Sequence, residues 1–290
     1  MSIFEPYDLP NIHFNEASVL KKLTGNNFTQ KIIASFHDYD NLYFVSEFYE
    51  WYVMNYLDRN WNESQIQFFS ACLIQTLLYL RKVQYIHRDI HFGNLAFDKD
   101  KYIILLDYHI AMEYKNKNNP KNDIVGSTEL CAPEMINHST YDYNSDYYRL
   151  GGMIYYIIFK KFPNNIKINS HLRNIIINPQ EIKNYSFSCI DFINKLLIDN
   201  YKKRIGFNNI DELKNHHFFK NFNWKDFINK KMKSPFCQIP IKDIGLCNKN
   251  YNISKKIFLN KTIFINNTLK NIFINYDYVN DREINSLENN

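Results

Sequence analysis

The stretch His87-Arg88-Asp89-Ile90-His91-Phe92-Gly93-Asn94 constrains this 290-residue chain more than any other. It sets an Asp and an Asn five residues apart on one polar loop, so both side chains can face a single phosphate site. A carboxylate there can accept the proton of a substrate hydroxyl, and an amide oxygen can hold a metal ion. Thirteen residues after Asn94, at the end of an apolar run, comes Asp107-Tyr108-His109. A carboxylate at a strand end is well placed to bind Mg²⁺ that bridges phosphates. Ala132-Pro133-Glu134, then Asp146-Tyr147-Tyr148-Arg149-Leu150-Gly151, then Lys203-Arg204-Ile205-Gly206 complete the series. Each motif alone recurs by chance, but all of them in this order and spacing do not.

The periodicity around these motifs is mixed. Residues 15–23 put Val19, Leu20 and Leu23 on one helical face. Residues 31–40 and 41–48 read as two strands joined by a turn at 38–41. A long helix is expected over 63–82, with Ile66, Phe69, Leu73, Leu77 and Leu78 on its apolar side. Short strands at 95–97 and 102–106 flank a polar turn, and buried helices are expected over 147–159 and 188–198. Beyond Trp224 the helical pattern fades into a tail rich in Asn and Lys, and no repeat is seen. The class is α+β.

Composition narrows the function. Hydrophobic residues at 45% and charged residues at 22% are ordinary for a globular chain of this length. The net charge of +5 is mild and its Lys and Arg are interspersed with Asp and Glu, which argues against a nucleic-acid partner. No stretch approaches the roughly 20 apolar residues of a membrane span, and the first residues, MSIFEPYDLP, lack a secretory leader pattern. Five cysteines without CxxC spacing suit reduced thiols in a cytoplasmic protein rather than disulfides or zinc.

The motif series resembles the eukaryotic protein kinase family, from about residue 15 to about residue 279. Three stretches resemble the AGC group of serine/threonine kinases more closely. They are NEASVLKKL through LYFVSEF, HHFFKNFNWKDFINKKMKSPF, and Phe273-Ile274-Asn275-Tyr276-Asp277-Tyr278. The resemblance implies a protein kinase-like fold with a truncated small lobe, one helix plus about two strands, on a large helical lobe with a C-terminal extension. Its divisions are 1–50 for the small lobe, 51–222 for the catalytic lobe and 223–280 for the tail, with 281–290 disordered. It further implies ATP and Mg²⁺, and a protein hydroxyl as phosphate acceptor.

Residue by residue, the resemblance makes Asp89 the catalytic base, Asn94 and Asp107 the Mg²⁺ ligands, and Glu16 the glutamate of the small-lobe helix. Glu47, Tyr49, His91, Ala96 and Asp107 would meet the nucleotide, with Ser46 at the back of its pocket. Glu134 would pair with Arg204, and Asp146 would hold the backbone around His87 and Arg88. Leu20, Ile32, Tyr108 and His87 would form an apolar column between the lobes. Asp123 and Asp277 stand where the group carries phosphorylated residues, so each carboxylate would replace part of a phosphate's charge. Phe273 and Tyr276 would pack the tail against the small-lobe helix.

The sequence also departs from the pattern. No glycine precedes Gly25 and no lysine precedes Lys21, so these residues carry neither the phosphate-cradling loop nor the lysine that would pair with Glu16. His109 replaces a glycine and His91 a lysine, and an imidazole is a weaker phosphate clamp than an ammonium. Val53, Gly93 and Tyr156 stand where acidic residues would read a basic peptide, so no preference for Arg-rich substrates is expected. Weakened phosphotransfer is therefore expected, the alternative being a catalytically dead pseudokinase that serves as a scaffold or docking module.

Overall fold

Asn62 starts the longest described helix, α2 (Glu63–Lys82), with a capping box. Its Oδ1 accepts the Gln65 N–H at 2.9 Å, and Gln65 Oε1 accepts the Asn62 N–H at 3.0 Å. The computed structural model describes residues 9–37, 42–114, 125–137, 142–163, 177–178, 182, 184–237 and 278–279, without the side chains of 9–14 and 42. Helix α2 buries Phe68, Phe69, Ala71, Cys72 and Ile74 at the centre of the main core. Helix α4 (Asn144–Phe159) lies against it and against α5 (Phe187–Leu196). A Cβ at Gly151 would meet the Leu196 Cβ at 2.7 Å, so this glycine is what lets α4 approach α5 closely. The short helix α3 (Pro133–Ile136) begins at its proline, as a helix first turn permits.

The catalytic side of this helical layer is made by short strands. Strand β5 (Leu95–Phe97) pairs antiparallel with β6 (Ile103–Leu105) and with β3 (Trp51–Tyr52). Asp98 Oδ1 closes the β5–β6 turn by accepting the N–H of Asp100 at 2.9 Å and of Tyr102 at 2.8 Å. A second pair, β4 (Tyr85–Ile86) with β7 (Met112–Glu113), frames the other side of the loop that carries Asp89.

The small lobe holds α1 (Leu9–Leu23), β1 (Ile32–His37) and β2 (Leu42–Ser46). Its third strand, β8 (Tyr278–Val279), comes from the C-terminal segment and pairs with β1 at Ser35 and Ala34, giving the order β2-β1-β8. Tyr278 also meets the end of α1, its ring 5.2 Å from the Lys21 ammonium and its hydroxyl 3.3 Å from Oγ1 of Thr24, the residue after the helix. The lobes are joined at Phe28. Its carbonyl accepts from Thr76 Oγ1 at 2.8 Å, and its ring stacks on Phe227 of α7 (Trp224–Ile228) at 5.2 Å.

Most element boundaries differ from the expected ones by a few residues. Helix α1 starts at Leu9 rather than at 15. Helix α4 starts at Asn144 because the Asp142 carboxylate takes the Asn144 N–H at 2.8 Å and turns the chain early. Strand β2 stops at Ser46, where Glu47 turns to donate its N–H to the Lys31 carbonyl. The expected turn at 38–41 and the tail end 281–290 lie outside the described residues.

Candidate active site

The loop that carries Asp89 is held from below by α4. Asp146, fully buried, accepts the His87 N–H at 2.8 Å and the Arg88 N–H at 3.0 Å. Burial raises the Asp146 carboxyl to about 6 despite those two amides. His87 is buried as well. Its Nδ1 accepts the Asp89 N–H at 3.2 Å while Nε2 lies 3.2 Å from the Leu106 carbonyl. That pairing suits a neutral ring protonated on Nε2, and burial lowers its pKa to about 4. Its ring meets Tyr108 edge-on at 4.8 Å. Leu20, Ile32 and Tyr108 share the main core with it close by.

The proposed catalytic trio is brought together by the backbone. Asn94 Nδ2 donates to the Asp89 carbonyl at 3.0 Å, which leaves its Oδ1 as the donor-accepting end. The Asn94 carbonyl in turn accepts the Leu106 N–H at 2.8 Å, one residue before Asp107. The Asp89 carboxylate accepts the Ser127 N–H at 2.8 Å and faces His91 Nε2 at 3.6 Å. Burial opposes its charge, yet His91, the Ser127 N–H and Arg149 hold it well below the usual carboxylate range. Asp107 has a left-handed φ of 61° and takes the Gln30 side-chain oxygen on its N–H at 3.2 Å. Its carboxylate bonds the His109 imidazole, which against the cost of burial lowers the Asp107 pKa and raises that of His109.

Glu16, on α1, reaches over this site. Its Oε1 accepts the Tyr108 N–H at 3.4 Å, while burial and the charge of Asp107 raise its pKa to about 7. Tyr49, Ala96 and Ile104 form a small buried cluster with Leu106 against it. Tyr49 donates its hydroxyl to Glu47 at 3.1 Å and accepts the Lys31 N–H at 3.4 Å. Burial pushes its phenol pKa far up. Away from the cleft, Arg204 grips Glu134 with two bonds of 2.7 and 2.9 Å, both side chains buried. Asp123, Phe273, Tyr276 and Asp277 lie outside the described residues.

Two features of the site carry no role in the sequence reading. Ser127 bonds Asp89 through its backbone, which no side-chain motif reveals. Arg149 is fully buried one helical turn beyond Asp146, its guanidinium 3.9 Å from Asp89 Oδ1. The signal was present: an arginine inside the apolar run Tyr147–Phe159 is out of place unless something buried needs its charge.

Comparisons with known proteins point to the same class. The protein kinase domain family matches residues 6–219, and the chain belongs to that family. Its relatives are AGC-like serine/threonine kinases. It is 29% identical over 227 residues to the serine/threonine-protein kinase Sgk1 of Rattus norvegicus, covering 77% of this chain and 53% of that protein. With Sgk1 of Xenopus tropicalis it shares 30% over 228 residues, 77% of this chain and 54% of the relative. With Sgk1 of Danio rerio the figures are 29% over 228 residues, 77% and 53%. The chain thus spans about half the length of the curated relatives it matches.

Proposed function

We propose that this chain transfers the γ-phosphate of ATP to a serine or threonine hydroxyl of a protein, with Asp89 accepting the hydroxyl's proton. The observation that carries the reading is the backbone linkage of Asp89, Asn94 and Asp107 into one site. Asp89, ionised at neutral pH, orients the acceptor hydroxyl and takes its proton as the new P–O bond forms, while the bond from the γ-phosphorus to the β–γ bridging oxygen breaks and ADP leaves. The donor set fits Mg²⁺, since an amide oxygen and a carboxylate are hard ligands and phosphates and water complete the usual shell. Asn94 and Asp107 would hold it, and bound there it neutralises charge on the phosphates. Tyr49 and Ala96 would meet the base, and His91 the transferred phosphate.

The site suits a protein as acceptor. Among the described residues no helix is long and apolar enough to cross a membrane. Cys72, Cys189 and Cys237 form no disulfide, which suits reduced thiols in the cytoplasm. The lobe divisions at residues 50 and 222, and the tail beyond, remain part of this proposal. One observation favours the scaffold reading: His109 already engages the Asp107 carboxylate that would bind metal. Melting of the 290-residue chain with and without Mg-ATP, beside Asp107→Ala, separates the two. A ligand at 100 times its Kd stabilises by about 2.7 kcal/mol. A shift lost in Asp107→Ala, with phosphate incorporation lost in Asp89→Asn, supports the kinase. No shift at millimolar Mg-ATP, in wild type and His109→Gly alike, supports the scaffold.

A further inference from the structure

Helix α4 presents two charged side chains, three residues apart and so on one face, to the same loop. Asp146 takes the amides of His87 and Arg88, and Arg149 reaches the residue that follows. Arg149 is wholly buried and its hydrogen bonds go to backbone. One terminal nitrogen donates to the Ser127 carbonyl and the other to the Val125 carbonyl, both at 3.2 Å. The same residue, Ser127, returns its N–H to Asp89 Oδ1 at 2.8 Å, and the Arg149 guanidinium lies 3.9 Å from that oxygen. A closed ring of contacts therefore joins α4, residues 125–127 and Asp89.

The fit inside this ring is tight. Gly126 has φ +76°, and a Cβ there would lie 2.6 Å from both the Arg88 carbonyl and Asp89 Oδ1. Segment 125–127 thus rests directly on the loop, and the guanidinium beneath both carbonyls keeps it there. Stability is a poor explanation for the arginine. Its Nε finds no hydrogen-bond partner among the described residues, and a buried ion pair commonly does no better for folding than apolar packing. Position is the better one.

We propose that Arg149 is a positioning residue for Asp89. Its guanidinium clamps residues 125–127 by their carbonyls, so that the Ser127 N–H and a fixed positive charge hold the Asp89 carboxylate in one orientation. The inference rests on the reading of Asp89 as proton acceptor for its effect on catalysis, but the clamp itself can be tested without turnover. The low pKa of Asp89 agrees with this arrangement.

The test compares Arg149→Met and Arg149→Lys in the whole 290-residue chain. Hydrogen exchange is followed at residues 125–127 and, as an internal control, in α2. The clamp predicts that the Ser127 amide exchanges about tenfold or more faster in Arg149→Met while α2 protection holds, with Arg149→Lys in between. Unchanged Ser127 exchange, or a loss that merely follows α2, overturns the proposal. Should Arg149→Met not fold, the lysine variant decides by the same criterion, because it keeps a charge but lacks the two terminal nitrogens that serve the two carbonyls separately. In phosphotransfer assays the clamp predicts a kcat lowered about 10- to 100-fold with the KM for Mg-ATP unchanged, partly restored in the lysine variant. A raised KM with unchanged kcat counts against it. A wild-type chain that transfers no phosphate would sink the kinase reading, and the exchange arm would still judge the clamp.

Discussion

The two sides of the Asp89 loop are built to opposite standards. Below it, in the large lobe, two buried charges are well partnered: Asp146 accepts from two amides, and Arg204 donates to both Glu134 oxygens and to the carbonyls of Asn144 and Ile198. Above it, at the small lobe, two carboxylates face each other. Glu16 meets Asp107 with one long 3.4 Å bond from the Tyr108 N–H, and its pKa rises to about 7. The Tyr108 hydroxyl is buried without a partner among the described residues. The lower side holds the Asp146 carboxylate and the Glu134–Arg204 pair with partners from the chain itself. The upper side brings Glu16 near Asp107 with His109 as the counter-charge bonded to that carboxylate, an arrangement that a bound cation would relieve.

The largest effect that would break this contrast lies below the loop. Arg204→Ala leaves the Glu134 carboxylate buried without its cation and should cost about 3–5 kcal/mol in urea unfolding. A loss under ~1 kcal/mol would mean that the lower side is not the rigid half. A smaller effect is expected above the loop, and it depends on pH. The Glu16 pKa is about 7 in the fold against 4.5 in a free side chain. The protonated form is thus the one the fold favours. Its contribution is whole below pH 4.5 and is lost as the pH climbs through 7. Wild-type stability should fall by on the order of 1–3 kcal/mol between pH 5 and pH 8 without added metal, whereas Glu16→Gln should be flatter and the more stable at pH 8. Parallel curves for the two proteins would show that Glu16 is well accommodated as an anion.

The sequence made the lower side legible and the upper side much less so. The kinase resemblance of Ala132-Pro133-Glu134 and Lys203-Arg204-Ile205-Gly206 implied a long-range pair, and the Arg204 and Glu134 side chains meet at 2.7 and 2.9 Å. The long helix α2 followed from the 3.6-residue periodicity of its apolar residues, while its Asn62 cap emerged only in the folded chain. Contacts made through backbone were out of reach, because no side-chain pattern announces the Ser127 N–H on Asp89 or the Gln30 oxygen on Asp107. Arg149 lay in plain view inside a motif, yet its partners are carbonyls whose positions only the folded chain reveals. The third strand of the small-lobe sheet was equally hidden. A two-residue pairing between Ser35, Ala34 and the tail has no periodicity to detect.

That strand gives the smallest effect and the finest test of the contrast. Tyr278 joins β1 through the backbone and the end of α1 through its ring and hydroxyl, so it touches the helix that carries Glu16 without touching the cleft. A half-buried aromatic edge contact with one hydroxyl bond is worth about 1 kcal/mol, most of it from the ring. Tyr278→Ala should therefore lower stability by about that amount, and Tyr278→Phe by a few tenths, measured by urea unfolding at pH 6. Combined with Glu16→Gln, the effects should add within about 0.5 kcal/mol if α1 is a rigid body that merely carries both residues. A larger coupling would mean that the tail strand sets the position of α1, and hence how closely Glu16 is pressed toward Asp107. The electrostatic load above the loop would then be under the tail's control rather than fixed by the small lobe alone.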